Sequence, residues 1–183
     1  IVGMGGAAFP THVKLNIPRD VSVDTVIVNG AECEPYLTSD HRVMLEIPSL
    51  VIEGLRLAMK AVGVTQAKIA VEENKSDAII QITNKASKYK EIEVCTLKTK
   101  YPQGSEKHLI QAVTGREVPS GQLPSSVGVI VLNIDTAVAI ARAVYDGLPL
   151  LRRIVTVSGG AIKNPCNFSV KLGTPVRCLI EQA

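Results

Sequence analysis

Asp24-Thr25-Val26-Ile27-Val28-Asn29-Gly30, running on into Ala31-Glu32-Cys33-Glu34-Pro35, is the stretch that decides the fold. Four β-branched residues in succession suit a strand buried on both faces, and Asn-Gly closes it in a turn. The same kind of run recurs at residues 67–71 and, wholly apolar, at 127–132, while 91–97 alternates polar with apolar as a half-exposed edge strand would. Between these lie helical patterns. In residues 41–62 the apolar positions Met44, Ile47, Val51, Leu55, Ala58 and Val62 return every three or four residues. Ser39 or Asp40 offers an N-cap, Pro48 kinks the segment or divides it into two stacked pieces, and Gly63 stops it. Further helices are expected over 76–86, capped from Asn74 or Ser76, over 105–114 and over 136–145. Strands alternating with helices make an α/β domain with a parallel sheet, whose ligands gather at the carboxyl ends of its strands.

After residue 153 the character changes. Residues 154–160 and 168–173 read as a β-hairpin, and Thr174-Pro175-Val176 opens a short helix. Some thirty residues cannot bury a core alone, so residues 151–183 are expected to begin a second, small domain after a first over 1–150. The opening Ile1-Val2-Gly3-Met4 is neither a start methionine nor a signal peptide, and the chain is expected to be an excised piece of something longer.

Composition excludes several function classes. The 183 residues are 46% apolar, which rules out disorder, and a net charge of +3 is too small to argue for a nucleic-acid or anionic-membrane partner. No apolar run approaches the roughly 20 residues that cross a bilayer. Cys33, Cys95, Cys166 and Cys178 form no C-x-x-C pair, so no iron–sulfur cluster is expected within the chain, and free thiols suit the cytosol. His12, His41 and His108 are dispersed, no metal site is expected, and no catalytic side chain stands out.

Four stretches carry candidate chemistry. Gly3-Met4-Gly5-Gly6-Ala7-Ala8-Phe9-Pro10-Thr11 brings closely spaced glycines, whose backbone N–H groups can approach a phosphate, with Lys14 near enough to neutralise it. It matches the dinucleotide fingerprint only in the variant that allows Ala, and it also reads as an ordinary turn. Asn29 and the carboxylates of Glu32 and Glu34 stand at a strand's carboxyl end, placed for a ribose or a polar ring edge. A solvated acidic loop looks the same, with Cys33 as packing. Tyr101-Pro102-Gln103-Gly104-Ser105-Glu106 joins a ring and a glycine to a helix start, and Val131-Leu132-Asn133-Ile134-Asp135-Thr136 again ends a buried strand in polar groups.

In their order these stretches resemble the family of the C subunit of the Rnf electron-transport complex, RnfC. Lys100-Tyr101-Pro102-Gln103-Gly104-Ser105-Glu106-Lys107, Val113-Thr114-Gly115-Arg116-Glu117-Val118-Pro119 and the late Val157-Ser158-Gly159 and Lys163-Asn164-Pro165 extend the likeness essentially end to end. That family is similar to the flavin- and NADH-binding subunit of respiratory complex I. The resemblance implies a Rossmann-like sheet with helices on both faces over residues 1–150, then the start of a soluble-ligand-binding β-grasp (SLBB) domain. It implies FMN as cofactor, NAD(H) as substrate, and 4Fe–4S clusters in a domain beyond residue 183.

By the same resemblance Gly3, Gly5, Gly6 and Lys14 would hold the FMN phosphate and ribityl chain. Asn29 and Glu32 would meet the flavin's polar side, with Tyr101 and Gly104 near its ring, and Leu132, Asn133 and Thr136 would close the phosphate end. Phe9, Glu34 and Glu106 match NADH-holding positions. Against the complex I pattern, Met4 replaces an Arg, Ala8 and His12 replace Gly, Ala31 replaces an Asp, Ser105 a Glu and Leu132 an Asn. The implied activity is electron transfer between ferredoxin and NAD through other Rnf subunits, on the cytoplasmic side of the membrane without insertion into it. A soluble RnfC-like reductase component, of the kind associated with cobalamin or proline reduction, would share the flavin domain. A docking module without cofactor is the reading from a different class.

Overall fold

The computed structural model describes all residues from Ile1 to Ala183. A one-turn helix, α1 (Thr11–Leu15), precedes the first strand, β1 (Thr25–Gly30). The chain then crosses through α2 (Ser39–Glu46) and α3 (Pro48–Val62) to β2 (Gln66–Glu72), and through α4 (Ser76–Ala86) to β3 (Ile92–Leu97). It returns by α5 (Glu106–Thr114) and a short 3-10 turn to β4 (Val129–Asn133), which leads directly into α6 (Ile134–Tyr145). All four strands are parallel, in the order β3-β2-β1-β4.

The strand period of two sorts the sheet's side chains. Val26 and Val28 join Ile69, Val71, Ile130 and Leu132 in a core of 23 buried residues under α2, α3, α4 and α6. Ile27, Ala70, Val129 and Val131 point the other way, into a smaller core of eight closed by Leu109 and Ile110 of α5. Helices therefore cover both faces, which is why β1 and β4 read as unbroken apolar runs. The strand order turns back between β1 and β4, and at such a reversal the carboxyl ends leave a crevice for a ligand.

Several element ends differ from the sequence expectation, each for a local reason. Pro48 sits at the first position of α3, where its missing N–H costs nothing, so residues 41–62 are two helices that meet at Ile47. Neither Ser39 nor Asp40 caps α2: both are already helical, Thr38 holds the cap position, and no side chain of its own bonds the turn. Nor does Asn74 or Ser76 cap α4, whose cap position is Lys75. The helix expected from Thr136 begins at Ile134, because the Asn133 side chain accepts from the N–H groups of Asp135 and Thr136. The strand expected from Val127 begins at Val129, after Gly128 turns at φ +77°.

Residues beyond α6 form an antiparallel pair, β5 (Arg152–Val157) and β6 (Cys166–Lys171), and a last helix, α7 (Val176–Gln182). No helix of the protein is long and apolar enough to cross a membrane.

Candidate functional site

The glycine-rich loop is pinned over the β4–α6 corner. Val2 bridges Pro10, and the Gly3 N–H donates to the Phe9 carbonyl at 2.8 Å, so residues 3–9 close on themselves. The Met4 N–H donates to Thr136 Oγ1 at 2.8 Å, and Gly5 lies against Asn133, whose Cβ would stand 3.3 Å from a Cβ placed on the glycine. Gly6 turns at φ +61° with nothing within 4 Å of where its Cβ would be. The exposed N–H groups of Gly5, Gly6 and Ala7 donate to no atom of the protein. Three consecutive free donors in an open, curved backbone are what an anionic oxygen cluster such as a phosphate needs.

Lys14, on α1, reaches β4 and the start of α5. Its Nζ donates to the Val131 carbonyl at 3.0 Å and pairs with Glu106 at 3.2 Å, which ties the loop region to the end of β4 and the start of α5. Phe9 presents a ring that is 48% exposed. The structure thus joins the glycine loop to Asn133 and Thr136, and Lys14 to Glu106 and the Val131 carbonyl of β4. Leu132 departs from expectation: its side chain is 3% exposed and belongs to the larger core, so only its backbone reaches the strand end.

Asn29 and Glu32 build the wall of the site and keep few free atoms for a ligand. Asn29 Oδ1 accepts from the Ala31 N–H at 3.0 Å, while its Nδ2 donates to the Gly104 carbonyl at 2.8 Å. Glu32 supplies the cap that α2 lacks locally: Oε1 accepts from Ser39 Oγ and the Asp40 N–H, both at 3.0 Å, and Oε2 from the His41 N–H at 3.2 Å. A carboxylate is favoured at that helix end by its charge as well as by these bonds.

Between the two groups stands Asp40, half-buried, whose Oδ2 accepts from Asn133 Nδ2 at 2.6 Å. Burial, and then the like charge of Glu32, push its carboxyl up to about 7. Burial also raises the carboxyl of Asp135, against the opposing pull of Arg153 and Arg142. In the unfolded chain an Asp titrates near 4. The folded protein therefore holds a proton that the unfolded chain releases, and stability falls as pH rises from about 4 to about 7, with the loss persisting above that. Asp40→Asn keeps an acceptor for Asn133 and removes the charge. At pH 8 it should gain about 2 kcal/mol, on the order of 5 °C in melting temperature. Near pH 4 the two proteins should melt together, and a gain equal at both pH values would refute this account.

A cavity of about 350 Å³ opens beside β1–β3, between the loop after β1 and the loop after β3. Glu32, Glu34, Tyr101, Glu72, Lys75 and Thr38 line it among others. Tyr101 is 68% exposed at its side, and Glu34 is exposed on the facing loop. In the cavity wall the buried Glu72 pairs through Oε2 with Lys75 Nζ at 3.0 Å, and Lys75 also donates to the Glu32 carbonyl at 3.3 Å. Glu72 Oε1 has no partner.

The long-range bonds of Lys75, Asp40 and Arg153, to partners 43, 93 and 149 residues away, leave no mark in the local pattern. Gln103, 3% exposed with an unpartnered Oε1, lies in a stretch where only the ring of Tyr101 and the glycine signal a ligand edge.

Comparison with known proteins gives a consistent family. The Nuo51 FMN-binding domain matches residues 1–142 and the SLBB domain residues 154–183. The C subunit of the Na⁺-translocating ferredoxin:NAD⁺ oxidoreductase complex of Acetobacterium woodii is 54% identical over 182 residues, covering 100% of this chain and 41% of that protein. Its counterpart in the proton-translocating ferredoxin:NAD⁺ oxidoreductase complex of Clostridium ljungdahlii is 52% identical, covering 99% and 39%. The C subunit of the ion-translocating oxidoreductase complex of Rhodobacter capsulatus is 47% identical, covering 98% and 35%. The chain thus spans about two-fifths of the length of the curated relatives it matches. Among solved structures, the NAD⁺-reducing NiFe hydrogenase in its air-oxidised state superposes with a TM-score of 0.87 at 23% identity, covering 100% of this chain and 36% of that one. At that identity the likeness speaks for the fold.

Proposed function

This chain belongs to the family of the Nuo51 FMN-binding domain, and from that premise we propose that it is the FMN- and NAD(H)-handling module of an RnfC-type electron-transfer protein. The observation that carries the reading is the row of unspent N–H groups at Gly5, Gly6 and Ala7, held over the β4–α6 corner beside the point where the strand order reverses. The residues present fit a flavin phosphate: the donors are free, the loop is open, and the acids nearby are spent on other bonds or held partly protonated.

Gly3, Gly5, Gly6 and Lys14 would hold the phosphate end, with Asn133 and Thr136 fixing the loop that presents it. Asn29, Glu32, Tyr101 and Gly104 would shape the ring's surroundings. When bound, FMN supplies a centre that takes a hydride equivalent and releases electrons singly, so no general base from the protein is required. The chain's own contribution is to bind, orient and shield. Phe9 offers a face for stacking an adenine, and Glu34 and Glu106 would accept hydrogen bonds from NAD(H). Residues 1–150 form the flavin domain in this reading, and 151–183 begin the SLBB domain. Clusters, ferredoxin and the remaining subunits lie outside the chain, which works at the cytoplasmic face of the membrane.

Titration of FMN by fluorescence quenching tests the reading. Lys14→Ala should weaken binding by roughly 1–3 kcal/mol, about five-fold to 150-fold, through loss of a charged hydrogen bond to the phosphate. Riboflavin, which lacks the phosphate, should be indifferent to the same change. Equal affinities of wild type and variant for FMN would remove Lys14 from the site. Absence of quenching by the wild-type protein would favour a docking module instead.

A further inference from the structure

The glycine loop is held from two sides, and the second hold comes from outside the parallel-sheet domain. Thr136 of α6 takes the Met4 N–H, whereas the Met4 carbonyl accepts from an Arg153 guanidinium nitrogen at 2.6 Å. Arg153 lies on β5, opposite Val170 of β6. Its guanidinium charge also acts on Asp135 and Asp40, the two acids at the corner under the loop. Its Nε is shut off from solvent and donates to nothing. A buried donor left idle carries a desolvation cost, which the fold bears in order to set the other end of the fork on Met4.

The hairpin grips the neighbouring loop as well. Thr156 Oγ1 accepts from the Thr38 N–H at 3.3 Å, and Asn167 Nδ2 donates to Thr38 Oγ1 at 2.9 Å. Thr38 stands at the head of α2, next to the residues that Glu32 caps. The β5–β6 pair therefore touches both loops that build the crevice, one through a charged side chain and the other through neutral ones.

We propose that the β5–β6 hairpin is a positioning element of the flavin site, and that Arg153 is the residue through which it fixes the glycine-rich loop. The proposal rests on the flavin reading only for what the loop holds, since the bracing itself is made between protein atoms alone. By holding the Met4 carbonyl Arg153 fixes the peptide from Met4 to Gly5 and so the direction of the first free N–H in the row. Without it Gly5 and Gly6, which lack side chains to restrain them, sample more conformations, and the ordering must then be done by the ligand.

Amide hydrogen exchange in the full-length protein, with and without FMN, separates this proposal from the flavin reading. In Arg153→Met the Gly3 and Met4 amides should exchange about ten-fold faster, while those of Val26, Ile27 and Val28 in β1 keep wild-type protection. Affinity for FMN should fall by a similar factor, and Arg153→Lys, which keeps a cationic donor, should recover part of both. Thr156→Ala, which loosens the hairpin at Thr38, should leave the Met4 amide unchanged. Should the Met variant fail to fold, Arg153→Gln carries the same comparison. Unchanged exchange at Gly3 and Met4 in the Arg153 variants, or equal acceleration by Thr156→Ala, overturns the proposal. If the wild type binds no FMN the flavin reading fails, and the exchange comparison still decides whether Arg153 braces the loop.

Discussion

Gly54→Ala should destabilise the protein by about 3–5 kcal/mol, a large part of the 5–15 kcal/mol that holds a typical domain folded. Gly54 is at the middle of α3, where a methyl group would lie 1.8 Å from the Ala137 carbonyl oxygen of α6 and 2.4 Å from its carbon. Both obstacles are backbone, so no side chain can swing aside, and the two helices must separate. Their separation would open the layer that Val51, Leu55, Ala58, Val138 and Ala141 fill. The sign of the effect is diagnostic. In an exposed helix the same substitution gains up to about 1 kcal/mol from propensity alone. A lowered denaturation midpoint in urea, with unchanged slope, is the expected result. A midpoint at or above that of wild type would show that α3 and α6 do not approach as closely as the structure has them.

The same glycine illustrates what the amino-acid sequence could and could not show. The period of Met44, Ile47, Val51, Leu55, Ala58 and Val62 marks one face of a helical segment, and Pro48 announces its division. Gly54, three residues after Val51 and four before Ala58, shares that face but reads in the sequence as a mere weakness in a helix; only the approach of α6 explains it. Strands β1 and β4 were legible because burial on both faces leaves an unbroken apolar run that needs no partner to be recognised. Helix starts were less so. A cap drawn from Glu32, seven residues before Ser39, follows no local rule, whereas Asn133 caps α6 from the position next to it.

For the site, residue types and their place at strand ends indicated which loops matter, and the likeness of the motifs to a flavin family added roles. Neither could say which polar groups would already be engaged. Asn29 and Glu32 hold the walls together, Lys14 is shared with Glu106 and Val131, and the free donors are backbone groups of Gly5, Gly6 and Ala7. Asp40 passed as a helix start, although it stands between Glu32 and Asn133 and carries the most perturbed carboxyl of the site. These pairings depend on how the loops fold back over the sheet, which periodicity does not encode.

Gly104→Ala should have the opposite balance to Gly54→Ala, with a moderate loss of stability and a severe loss of ligand binding. A methyl group on Gly104 would stand 2.3 Å from the Ala31 carbonyl oxygen and 3.3 Å from Cys33 Sγ. Gly104 also donates its N–H to that sulfur at 3.4 Å and lends its carbonyl to Asn29 at 2.8 Å. The methyl therefore pushes apart the loop after β1 and the loop before α5 at the point where they are stitched, and both bonds go with it. Because these are loops at the rim and not helices in the core, they can yield, and the stability cost should stay near ~2 kcal/mol. What yields is the wall that carries Glu32, Glu34 and Tyr101, the residues proposed above to meet the ligand, and its displacement should weaken binding about ten-fold or more. FMN and NADH titrations beside a urea melt read the two effects separately. If Gly104→Ala binds both as wild type does while its midpoint falls, the junction of these loops is a structural seam only, and the flavin's surroundings must be sought among the residues around the glycine loop.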